Sequence, residues 1–126
     1  MAELTVLSMT DRVHIDSRRL GEIVDELGET AAHTVLTLAL EQLAQGLEVL
    51  RTAAAGGDAA ELAMRAEMLA RLAWQVGLTS LAGVAVDVAV CAEWGDKIGL
   101  AATLARLMRI GNRALTEIWD EEPGPR

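Results

Sequence analysis

The chain has 126 residues, 52% hydrophobic and 24% charged, with three Trp and neither Phe nor Tyr. That suffices for one ordinary domain but not two. Its core must be built from Leu, Ala, Val, Ile and Met, mostly helix formers, which disfavours a sandwich or barrel. With 19 acidic and 11 basic residues the formal charge is -8, so a nucleic-acid binder or a protein of anionic membrane surfaces is also disfavoured.

Residues 1–15 are mixed, and Leu4, Val6 and Leu7 suggest a short strand or an arm lying on the body. No basic segment leads there into an apolar run with a small-residue cleavage site, so no signal peptide is expected. Asp16 is placed to cap a short helix over about 17–26, and Gly28 marks a break. His33, Leu36, Leu40, Leu43, Leu47 and Leu50 then recur at spacings of three and four. They predict the inner stripe of a long helix over about 29–54, closed by Gly56-Gly57. Asp58-Ala59-Ala60-Glu61 has capping-box spacing and opens the next helix, whose inner stripe is Leu62, Ala66, Leu69, Ala73 and Val76. Gly77 ends or bends it.

Thr79 or Ser80 begins a helix with Leu81, Ala85, Val88 and Ala92 inward, and Gly95-Asp96 punctuates it. The final helix, about 97–119, carries Leu100, Leu104, Leu107, Gly111, Leu115 and Ile118 inward. The expected fold is all-α: an antiparallel up-and-down four-helix bundle over residues 16–119 with a short extra N-terminal helix. Residues 1–15 form an arm and 120–126 a flexible tail. The small residues Ala66, Ala73, Ala85, Ala92 and Gly111 let helices approach closely. The longest uncharged stretch, 72–86, is too short for a bilayer and contains Gln75, Thr79 and Ser80, so a buried hairpin is expected rather than a membrane span.

Candidate chemistry is sparse. His14, His33 and Cys91 are the only His and Cys, and neither His-x-x-x-His nor Glu-x-x-His occurs, except that Glu29 and His33 share the spacing of one helix face. A metal site and a cofactor are not expected. Cys91 alone makes no internal disulfide and fits a reducing, cytoplasmic compartment. Lys97, the sole Lys, follows Gly95-Asp96 and belongs to no phosphate loop. Ser8, Ser17 and Ser80 read as caps or turns, His33 as a packing residue, and His14 as a surface residue. The unusual face lies on the second long helix. At roughly 100° per residue, Glu67, Arg71 and Trp74 point away from the Leu62/Leu69/Val76 stripe, with Met64 and Met68 beside them. Exposed Met and Trp among charges suit an adaptable docking patch, although a neighbouring element or the N-terminal arm could equally cover them. Val86 and Val90 also point outward, extending the patch or marking a second covered face.

Several features together resemble the histidine-containing phosphotransfer (HPt) family of bacterial two-component signalling, over about residues 14–119. Ile15-Asp16-Ser17-Arg18-Arg19-Leu20 is similar to its opening short helix, Leu27-Gly28-Glu29 to its entry into the first long helix, and Ala53–Asp58 to its alanine-rich helix end and Gly-Asp turn. The family's signature helix reads Ala-His-x-Leu-Lys-Gly with a later Gly. Gly77 fits that Gly, which sets Ala66-Glu67-Met68-Leu69-Ala70-Arg71 on the signature. Leu81 and the region of Asp87 resemble the following helix.

The resemblance implies a receiver domain or histidine kinase as partner, docked on the face of the family's His. Glu67 stands where that His would be, Ala70 replaces the Lys that helps neutralise the phosphoryl group, and Arg71 replaces a Gly. Gln75 matches a polar residue near the site. A carboxylate lacks the imidazole nitrogen that accepts the phosphoryl group and repels the incoming charge. The expectation is a non-catalytic module that binds its partner through Met64, Glu67, Met68, Arg71, Trp74 and Gln75 without carrying phosphate. There Glu67 would compete through Mg²⁺ at the receiver's acidic pocket, or Arg71 would contact its acidic groups. The alternatives are an active relay using His33 or His14, and a structural or homodimerising bundle outside signalling. An enzyme of small-molecule metabolism is more distant, because no polar cluster converges.

Overall fold

The computed structural model describes the backbone of residues 16–120 and the side chains of residues 16–116. The expected arm, His14 and the tail beyond 120 lie outside the described residues, as does the side chain of Ile118. Among those described, the chain is all-α, with no strand. The helices are α1 (Ser17–Leu27), α2 (Glu29–Gly56), α3 (Ala59–Gln75), α4 (Thr79–Trp94) and α5 (Lys97–Asp120).

The boundaries follow from local chemistry. The Asp16 carboxylate accepts hydrogen bonds from the Arg18 and Arg19 N–H groups at 3.1 and 3.3 Å, capping α1. Asp58 accepts from the Glu61 N–H at 3.1 Å and caps α3; Asp96 accepts from the Gly99 N–H at 2.8 Å and caps α5. The start of α4 has no side-chain cap. Leu78 stands there fully buried, its carbonyl accepting from the Ala82 N–H at 3.0 Å, so packing holds this helix start in place. Helix α2 runs two residues past the expected end at 54, through the Ala-Ala-Ala run to Gly56, and stops where Gly57 turns left-handed at φ 79°.

Helices α3 and α4 share the most extensive contact, followed by α4 with α5; α2 touches α3 and α5, and α1 rests on α2. The core between them is made of Leu, Ala, Val and Ile, with Leu43, Leu50, Leu78, Leu81, Leu107, Ile110 and Val88 fully enclosed and no buried polar or charged residue among those described. Two glycines set the closest approaches. A Cβ at Gly111 would stand 2.6 Å from Leu47 Cδ1, and one at Gly46 would stand 3.0 Å from Leu69 Cδ1. Leu47 of α2 therefore fills a notch in α5, and Leu69 of α3 one in α2.

The start of α1 is fastened to the α3–α4 turn. The Asp16 N–H donates to the Gly77 carbonyl at 2.7 Å, and Arg19 Nε donates to the Gln75 carbonyl at 2.9 Å. Gly77 is needed twice over: its φ is +83°, and a Cβ there would stand 3.0 Å from the Asp16 carbonyl oxygen.

One expected core residue is misplaced. His33 is exposed, and Ala32 takes the buried position beside it. Helix α2 has 28 residues against 17 in α3. Leu72, Gln75 and Val76 at the end of α3 line a groove with Val35, Leu38 and Ala39 of α2. The first turn of α2 thus lies at or beyond the end of α3, where α1 is the neighbour and selects a different stripe. No helix among the described residues is long and apolar enough to cross a membrane.

Candidate functional site

The inner stripe of α3 is buried as expected, with Leu62, Ala66, Leu69 and Ala73 in the core and Val76 just past the helix end. Because a helix advances about 100° per residue, this burial fixes the opposite surface. Met64, Glu67, Met68, Arg71 and Trp74 are all exposed there, Trp74 at 54%. Their three- and four-residue spacings make successive side chains neighbours along the helix. None of them lies under another described element.

The face has two flanks. Toward α4, Met64 and Glu67 line a shallow depression of about 410 Å³ with Ala59, Ala60 and Ala63, closed by Ala92 and Glu93. Two carboxylates, Glu67 and Glu93, therefore border one apolar floor. Toward α2, Arg65 is half-buried, with Nη2 3.5 Å from Glu61 Oε1 and its buried Nε without a hydrogen-bond partner. Sequence reasoning passed over Arg65, although the Glu61-to-Arg65 spacing of four signals such a pair. An ion pair this exposed contributes little to stability. Its effect is to hold the Arg65 stem along the edge of the face beside Met68.

Gln75 only partly joins the group. Its carbonyl is engaged by Arg19, and it lines the groove between α1, α2 and α3 with Ile23 and Leu38, so it stands at the border of the face. Ala70 is buried, three residues on from Glu67. Residue 70 therefore lies in the seam of α3 and adds no charge to the exposed face. Arg71, one turn beyond Glu67, is exposed.

His33 lies on α2, and its carbonyl accepts a hydrogen bond from Thr37 Oγ1 at 2.8 Å. It is not part of the α3 face. No group of three or more His, Cys, Asp or Glu among the described residues is placed to hold a metal ion. Val86 and Val90 are exposed on α4, as expected, and with Trp94 they form a second apolar face. Trp94 and Ile98 were missed because each sits beside the Gly95 turn, where a helical stripe read from the core ends. Comparison with family models, with curated proteins and with solved structures found no match to this chain.

Proposed function

We propose that this chain is an HPt-like module that binds a response-regulator receiver domain or a histidine kinase without carrying phosphate. In this reading the helices form an antiparallel up-and-down bundle with α1 as the family's short opening helix, and the protein works in the cytoplasm. The observation that carries the proposal is the exposure of Glu67 midway along α3, flanked by Met64, Met68, Arg71 and Trp74. The resemblance assigns the phosphorylated His to that position. A relay histidine must be open to a partner's active site, and the residue that stands there is open but cannot do the chemistry. Its carboxylate has no nucleophilic ring nitrogen and repels the phosphoryl oxygens. The apolar neighbours supply contact area, and Met side chains adapt to the shape of a partner.

Glu67 and Arg71 give the face a charge of each sign within one turn. Arg71 is placed to meet the acidic groups around a receiver's phosphoacceptor carboxylate, and such pairs steer association more than they add affinity. The test has two arms. Purified receiver domains are titrated against the chain and against Trp74→Ser and Met68→Ser; binding that these substitutions abolish supports the face. Separately, the chain and Glu67→His are incubated with a phosphorylated receiver. The unchanged chain should take no label and Glu67→His should acquire some. Label on the unchanged chain that disappears with His33→Gln would sink the proposal in favour of an active relay.

A further inference from the structure

Where α1 and α2 meet the end of α3, they leave a groove of about 500 Å³. Its walls are Ile23 and Leu27 of α1, Val35 and Leu38 of α2, and Leu72 of α3, with Val76 just past that helix. Leu27 (47%), Val35 (42%) and Leu38 (54%) stand exposed along it, so no described element fills it. Arg19 and Glu26 are its only charged lining residues, and both belong to α1. The α3 face differs, since Glu67 and Arg71 stand among its apolar side chains.

We propose that residues 4–10 of this same chain fill the groove, running back along α1. The occupant follows from where the N-terminal segment joins the body and from what it carries. The Asp16 N–H donates to the Gly77 carbonyl at 2.7 Å, one residue beyond Val76, and Arg19 Nε donates to the Gln75 carbonyl at 2.9 Å. The segment before Asp16 therefore joins at the α3 end of the groove, where Gln75 and Val76 line it. Residues 4–10 carry no charge, and Leu4, Val6, Leu7 and Met9 supply large apolar side chains. Such a run matches walls that hold no charge on α2 or α3. Along α1 the groove extends from Arg19 to Leu27, about 12 Å at the rise of a helix. Extended backbone covers about 3.3 Å per residue, so about five residues span that length. Residues 11–15, which include the charged Asp11 and Arg12, remain for the turn back from Asp16. A segment on so short a tether meets the groove at an effective concentration of about millimolar order, so even a weak contact is populated. This contact is separate from the α3 face and does not depend on the phosphotransfer reading.

The test is nuclear magnetic resonance of the full chain in a Cys91→Ala background, with a nitroxide attached at Ser8→Cys. The amide signals of Leu27, Val35 and Leu38 should broaden more than those of Met68, Val86 and Val90. When nitroxide and isotope are carried on different copies, the broadening should vanish. Stability gives a second readout. Leu4→Ser, Val6→Ser and Leu7→Ser made together should lower the folding equilibrium constant by at least about tenfold. Leu38→Ala should lower it by less, and the combined loss should fall well short of the sum, because each change removes the other's contact. Broadening centred on Met68 or on Val90, or none at all, overturns the proposal. Broadening that survives on separate copies gives the groove to a neighbour's segment and overturns it too. Losses that simply add do the same.

Discussion

Helices α3 and α4 are adjacent walls of one core, and both turn large apolar side chains to solvent, but in different company. On α3 the exposed Met64, Met68 and Trp74 alternate with Glu67 and Arg71, so every apolar side chain has a charge within about one turn. On α4 the exposed Val86, Val90 and Trp94 have Asp87 on one side and Glu93 on the other, both of them acidic. The first face presents charges of both signs, Glu67 and Arg71, one turn apart. The second offers carboxylates alone beside its apolar side chains, with no cation among the α4 residues. The same inner chemistry, Leu and Ala at helical spacing, thus backs two outer surfaces of different charge pattern.

The sharpest way to break the comparison is to cross from the outer to the inner side of each helix. Leu69→Ala in α3 and Leu81→Ala in α4 remove fully packed side chains and should each cost about 2–5 kcal/mol in chemical denaturation. Met68→Ala and Val90→Ala should stay within about 0.5 kcal/mol. If Val90→Ala cost as much as Leu81→Ala, the outer side of α4 would be interior and the contrast would collapse. A smaller effect comes from the seam behind both faces. Gly111→Ala drives a methyl into Leu47 and should cost about 1–3 kcal/mol, partly relieved by Leu47→Val, as read from paired thermal melts. Next comes the entry to α3: Asp58→Ala removes the cap and should cost about 1 kcal/mol, with no such side-chain cap to lose at the start of α4. The smallest change in stability, within about 0.5 kcal/mol, is expected for Trp74→Ser. If the proposed docking face is right, it should nevertheless abolish receiver binding, whereas Trp94→Glu on α4 should leave that binding intact.

Much of this was legible in the residues. The Asp16, Asp58 and Asp96 positions announce helix starts because a short carboxylate at that place has backbone N–H groups to satisfy. The α3 stripe and its opposite face follow directly from the helical period, since α3 is flanked along its length by α2 and α4. His33 failed for the complementary reason. Periodicity says which residues share a face, but not how far along the helix a neighbour extends, and α2 outruns α3. Gly46 was unremarkable in sequence because its value lies in Leu69, a residue of another helix. Trp94 and Ile98 escaped notice because they flank a turn, where no stripe continues.

The Leu47–Gly111 notch has a consequence for how the chain reaches its fold. Apart from the hydrogen bonds that tie the start of α1 to the α3–α4 turn, the other helix contacts join neighbours along the chain, and such local pairs form quickly. The α2–α5 seam is the packed helix pair that must wait until the intervening helices are in place, because it brings together segments far apart in sequence. A joint made last is absent from the folding transition state. Filling the notch at residue 111 should therefore hasten unfolding while leaving the refolding rate almost unchanged.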